Sequence, residues 1–192
     1  MPSRIFWLIS LLCLPFILHA QTEAPARYQV YGGYAFLSNS FNGIPGSRQP
    51  LNGWDAAVAV PPWRHLRFRA DFLGYRGTNL GAPQQSFFIL GGGQYDVRLG
   101  RETVFAEALV GDGGLNRNWG PKQATGETAS FSSVLGGGLD TPLSRHFAFR
   151  VEGGYQYSYF ALLGPKPTLI PYRIPGLPTN FGLISTGLVY KF

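Results

Sequence analysis

Residues 147–159 read Phe-Ala-Phe-Arg-Val-Glu-Gly-Gly-Tyr-Gln-Tyr-Ser-Tyr, and this one alternation excludes more folds than any residue count. The odd positions carry Phe147, Phe149, Val151, Tyr155, Tyr157 and Tyr159, whereas the even ones include Arg150, Glu152, Gln156 and Ser158. A period of two sends successive side chains to opposite faces of a strand, so one face is apolar and the other charged. Comparable runs fall at Arg27–Leu37, Gly53–Val60, Leu66–Tyr75, Ser86–Val97, Thr103–Gly111, Ser130–Asp140 and Asn180–Phe192. Helical folds are disfavoured, since Gly (26) and Pro (15) are abundant in a chain of 192 residues and both are poor helix formers. Disorder is excluded by 45% hydrophobic content with 15% aromatics, which is ample surface to bury. The chain is all-β.

The connections between these eight runs alternate in length. Ser38–Asn52, Arg76–Gln85, Asp112–Ala129 and Phe160–Thr179 are long, and Pro61–His65, Arg98–Glu102 and Thr141–His146 are short. Each run approaches the ~9–11 residues with which a tilted strand crosses a bilayer. Short turns at one end and long loops at the other are the habit of bacterial outer-membrane barrels, and closure removes the edges of an open sheet. The expectation is therefore an eight-stranded antiparallel up-and-down transmembrane β-barrel over 21–192, with both termini and the short turns in the periplasm. Residues 1–20 read as a signal peptide: Arg4, an apolar stretch from Ile5 to Leu18, then cleavage after Ala20 before polar Gln21-Thr22-Glu23. Cys13 lies inside that stretch, so the exported chain has no thiol for disulfides, metal ligation or catalysis.

The last run ends Ser185-Thr-Gly187-Leu-Val-Tyr190-Lys-Phe192. This polar-x-Gly-x-x-aromatic-x-Phe ending resembles the signal by which the barrel-assembly machinery recognises its clients. Phe105-Ala-Glu-Ala-Leu-Val-Gly111, Gly136-Gly-Gly-Leu-Asp140 and Arg150-Val151 resemble the fifth to seventh strands of the same proteins. The chain is thus similar to the small OmpA-like outer-membrane β-barrels, the bacterial outer membrane β-barrel domain proteins that are barrel and little else. The resemblance implies an integral outer-membrane protein of a Gram-negative cell envelope, with Ser185, Gly187, Tyr190 and Phe192 as the assembly signal. It implies no peptidoglycan-binding domain after the barrel.

The strand register assigns the charges. Arg67, Arg69, Arg150 and Lys191, with Asp55, Asp71, Asp96, Glu107, Asp140 and Glu152, all share the inward parity. None points at lipid, where a mid-bilayer Lys or Arg costs ~2–4 kcal/mol. Arg69, Asp71, Glu107, Arg150 and Glu152 fall near mid-depth and are expected to interlock as a lumen plug, an eight-stranded barrel being just wide enough for side chains to fill. The long loops hold Arg48, Arg76, Arg117, Lys122, Lys166 and Arg173 against Asp112 and Glu127, a balance of +4. This basic rim suits the phosphates of lipopolysaccharide. The loop from Ala161 to Thr179 carries Pro165, Pro167, Pro171, Pro175 and Pro178, a spacing that favours an extended segment over helix or strand. Its apolar residues suit packing over the barrel mouth or contact with an unknown surface partner.

Other chemistry finds no arrangement to carry it. The glycine clusters Gly91-Gly92-Gly93 and Gly136-Gly137-Gly138 open no helix and fit no phosphate-binding pattern. His65 and His146 lie in short turns, and Ser144 near His146 has no third partner to orient it. No metal spacing, cofactor motif or nucleic-acid surface is evident: the net charge of +6 is spread over two rims without interleaved stacking aromatics. The expected function is non-enzymatic, structural or in surface recognition through the four long loops. A narrow cation-preferring pore and a lipid A-modifying barrel enzyme are the alternatives.

Overall fold

The computed structural model describes residues 28–40, 49–79, 82–117, 126–162 and 174–192. Eight strands run in chain order, β1 (Gln29–Ser40), β2 (Gln49–Val60), β3 (Leu66–Asn79), β4 (Ala82–Leu99), β5 (Glu102–Arg117), β6 (Gly126–Pro142), β7 (Phe147–Leu162) and β8 (Ile174–Lys191). Each pairs antiparallel with its sequence neighbours, and β8 returns to β1 to close the barrel. Closure pairs every edge, because β1 meets β8 from Gln29↔Lys191 to Ser40↔Asn180 and no row of amides is left open. The expected all-β, eight-stranded antiparallel barrel is the observed fold.

The strands are longer than the alternation indicated. The segment Arg76–Gln85, expected as a loop, is a hairpin paired from Arg76↔Gln85 to Asn79↔Ala82. At the end of the chain, β8 starts at Ile174 and takes in Pro175 and Pro178, with Tyr159↔Pro178 in register and an irregularity between Phe160 and Leu162. The expected non-strand segment is thus shorter than Ala161–Thr179. Backbone pairing needs only amides and carbonyls, whereas alternation is visible only where the two faces meet different surroundings. Strands therefore outrun their sequence signal. An irregularity in the ladder is also where a proline, lacking an N–H, fits a sheet.

At one end of the barrel lie the connections 61–65, 100–101 and 143–146. The two-residue link between β4 and β5 is possible because Gly100 adopts φ 64°, in the left-handed region that side chains resist. At the opposite end the strands stop at Ser40 and Gln49, Asn79 and Ala82, Arg117 and Gly126, and Leu162 and Ile174.

The two faces of the sheet are chemically reversed relative to a water-soluble protein. Tyr34, Trp54, Phe68, Ile89, Val110, Leu135 and Ile184 are exposed on the outside, whereas all ten inward charges named above are shielded, Lys191 least so. Contiguous apolar surface of this kind is foreign to a monomer in water.

Candidate functional site

The barrel interior is where ionisable groups converge, and alternation places them there: residues 67, 69 and 71 of β3, 94 and 96 of β4, and 150 and 152 of β7 are successive inward positions. At mid-depth the fully buried Arg69 is the hub. Its Nε donates to Asp71 Oδ1 at 2.6 Å and its Nη1 to Glu107 Oε2 at 2.6 Å. Glu152 accepts from Nη1 at 3.0 Å and Nη2 at 3.1 Å. Two strands besides its own, β5 and β7, are therefore tied through one guanidinium, whose flat fork suits several carboxylates at once.

A second cluster lies nearer the short turns. Arg150 forks onto Asp140 through Nε at 2.6 Å and Nη2 at 3.0 Å, and Nη2 also donates to Gln29 Oε1 at 3.2 Å. Lys191 Nζ stands 3.1 Å from Asp140 Oδ2, the oxygen that also accepts from Arg150 Nη2. Arg67 Nε donates to Asp96 Oδ2 at 2.5 Å, and Gln94 Nε2 donates to Asp96 Oδ1 at 2.6 Å. The two clusters touch where Arg150 Nη1 comes 3.8 Å from Glu152 Oε2. Arg150 stacks 4.3 Å from the Phe105 ring centroid, and Arg69 lies 5.8 Å from the same ring. The aromatic ring adds cation–π attraction where water is scarce. All five expected plug residues, Arg69, Asp71, Glu107, Arg150 and Glu152, are brought together in this way.

Toward the long-loop end the interior changes character. Leu37, Leu51, Leu73, Tyr75, Phe88, Leu90, Leu109, Phe181 and Leu183 form a buried apolar cluster. Sequence reasoning missed this layer, although the signal was present: Leu73 and Tyr75 continue the parity of Asp71, and Leu109 continues that of Glu107. The interior thus has two layers in series, one ionic and one apolar.

The terminal motif divides between the two faces. Ser185 Oγ is within 2.6 Å of the Tyr31 hydroxyl inside the lumen. Gly187 sits on the closing seam opposite Gly33 and Arg150, where a Cβ would collide with the Gly32 carbonyl oxygen. Tyr190 points outward, 5.1 Å from Phe147 and 5.7 Å from Phe192, and Phe192 stacks on Tyr28 at 5.9 Å. The Phe192 amide also donates to the Tyr28 carbonyl at 3.1 Å. Of the expected basic-rim residues, Arg76 is exposed on β3. Arg48, Lys122, Lys166 and Arg173, the Arg117 side chain and the expected signal peptide lie outside the described residues.

Ser144 and His146 do not form a nucleophile and base. The Ser144 hydroxyl oxygen accepts from the amides of His146 at 3.3 Å and Phe147 at 3.1 Å. The His146 ring instead lies 3.0 Å from the Lys191 carbonyl.

No family model matches the sequence, and no curated protein matches it. Solved structures do. The crystal structure of Neisserial surface protein A superposes with a TM-score of 0.62 at 14% identity, covering 86% of this chain and 97% of that one. Ail, the attachment invasion locus protein of Yersinia pestis, gives 0.57 at 15% identity over 88% and 100%. The outer membrane protein OprG of Pseudomonas aeruginosa gives 0.50 at 12% identity over 86% and 95%. What this chain shares with these bacterial surface and outer-membrane proteins is the fold, a small closed eight-stranded β-barrel.

Proposed function

We propose that the chain is exported by a signal peptide over 1–20 and resides in the bacterial outer membrane as a non-enzymatic barrel with a plugged lumen. The observation that carries this reading is the reversed polarity of the sheet, with aromatic and aliphatic side chains outside and ten charges within. Such a surface suits hydrocarbon, and its turn-end cluster of Tyr28, Phe147, Tyr190 and Phe192 suits the aromatic girdle at a bilayer interface. Strands of up to 18 residues reach about 60 Å at ~3.3 Å per residue, well past a ~25 Å apolar band. The loop-end hairpins therefore project outward as a surface-recognition platform.

Contacts with lipopolysaccharide phosphates fall to Arg48, Arg76, Arg117, Lys122, Lys166 and Arg173. Delivery to the barrel-assembly machinery falls to Ser185, Gly187, Tyr190 and Phe192. The OmpA-like resemblance motivates the second assignment, and the basic balance of the long loops motivates the first. Against a conducting pore stand the ionic and apolar layers in series, since an ion crossing them must displace bonded guanidinium groups and then enter a hydrocarbon-lined section. The test is fractionation with heat-modifiable gel mobility, followed by planar-bilayer recording. Recovery in the outer-membrane fraction, a mobility change on boiling and silent bilayers are expected; recovery in a detergent-free soluble fraction refutes the location, and regular single-channel steps refute the plug.

A further inference from the structure

Among the described residues, Asp55 on β2 is an anomaly of the interior. It is 2% exposed, yet neither carboxylate oxygen accepts a hydrogen bond. The lumen's guanidinium and ammonium groups are committed elsewhere: Arg67 to Asp96, Arg150 and Lys191 to Asp140, and Arg69 to Asp71, Glu107 and Glu152. Left ionised, a buried carboxylate without a counter-charge or donor is costly, and one such group among inward carboxylates that are otherwise all paired points either to a missing cation or to a proton shared with Glu152.

One oxygen each of Asp55, Asp71 and Glu152 lie within 4.8 Å of one another. A second orphan stands beside them. Tyr75 is 2% exposed and its hydroxyl also lacks a partner. Its ring lies over Gly53, one inward position from Asp55. With all ten inward groups ionised, six carboxylates face four cations, a surplus of two negative charges that one divalent cation would offset. The carboxylate oxygens are donors that hard cations take. Arg69 donates to one oxygen of Asp71 and to both oxygens of Glu152, so it orients these ligands without bonding to Asp55.

We propose that Asp55, Asp71 and Glu152, with the Tyr75 hydroxyl at their rim, form a buried site for a hard divalent cation of the Ca2+ or Mg2+ type inside the barrel. The apolar layer above and the Arg150 cluster below close the site, so the ion is taken up as the barrel folds and exchanges slowly afterwards.

The test refolds the full chain from urea into lipid vesicles in chelator-treated buffer, with Ca2+ or with Mg2+. Free ion is then removed, and retained metal is measured by elemental analysis. Wild type is expected to hold about one ion per chain, ligated mostly by carboxylates, and to lose heat-modifiable mobility about 5–10 °C higher than chelated protein if loading reaches a hundredfold excess over Kd. Asp55→Asn is expected to retain no ion and to show no shift, whereas the exposed Asp112→Asn retains both. Wild type that refolds without bound ion and with the same transition in chelator overturns the site, leaving a proton shared between Asp55 and Glu152 as the occupant. Retention by Asp55→Asn equal to wild type overturns it equally. The wild-type measurement reads metal directly, so it decides the matter even where Asp55→Asn does not refold.

Discussion

Replacing Arg69 with Met removes the charge and keeps much of the side-chain volume. The guanidinium donates to Asp71, Glu107 and Glu152 at 2.6, 2.6 and 3.0 Å, and Met leaves three carboxylates facing one another beside Asp55. Removing one partner of a buried ion pair costs about 3–5 kcal/mol, and with three acceptors stranded the loss is expected near the top of that range. Arg150→Met is the internal comparison. Asp140 then keeps Lys191 at 3.1 Å and Glu152 keeps Arg69, so the loss is expected nearer ~1–3 kcal/mol, the cost of unmade hydrogen bonds. The assay is urea unfolding in lipid vesicles, with the folded fraction read on unboiled gels and extrapolated linearly. Adding Glu152→Gln to Arg69→Met is expected to recover at least about 1 kcal/mol, since the two sites are in contact and not additive. The reasoning fails if Arg69→Met stays within about 0.5 kcal/mol of wild type, inside the spread of a surface change, or if Arg150→Met proves the more damaging.

Three further outcomes follow from the geometry. Gly187→Ala is expected to block closure of the β1–β8 seam and to lower folded yield sharply, whereas Gly182→Ala, whose Cβ would meet Ser38 at 3.9 Å, refolds normally; pulse-refolding followed on gels distinguishes them. Leu135→Arg, at a position 70% exposed in the middle of β6, is expected to lose about 2–4 kcal/mol in vesicles, and a neutral result there argues against a lipid-facing exterior. Phe192→Ala removes the rings' contacts with Tyr28 and Tyr190 and is expected to reduce membrane-inserted protein in cells; undiminished levels remove the case for the terminal motif as an assembly signal.

The alternation in β7 is strong because Arg150 and Glu152 could not share a face with Phe149 and Val151 without ruining one environment or the other. Period, strand count and inward parity were therefore legible in the amino-acid order alone, as was the gathering of charges within one wall. The ends of the strands were not. Thr78 and Asn79 pair with Pro83 and Ala82 through backbone groups that carry no side-chain signature, and Pro175 reads as a strand breaker until an irregular ladder accommodates it.

Composition and parity thus dictated a closed sheet with its polarity turned inside out. Which carboxylate meets which guanidinium was settled only in three dimensions. Arg69 and Glu152 are distant in sequence, and their contact depends on the stagger of strands around a closed cylinder, a quantity that no local pattern encodes. The same stagger stacks Leu73, Leu90 and Leu109 into one layer and leaves Asp55 beside Asp71 and Glu152. Local order chooses the face of a strand, and closure chooses the neighbours across the lumen.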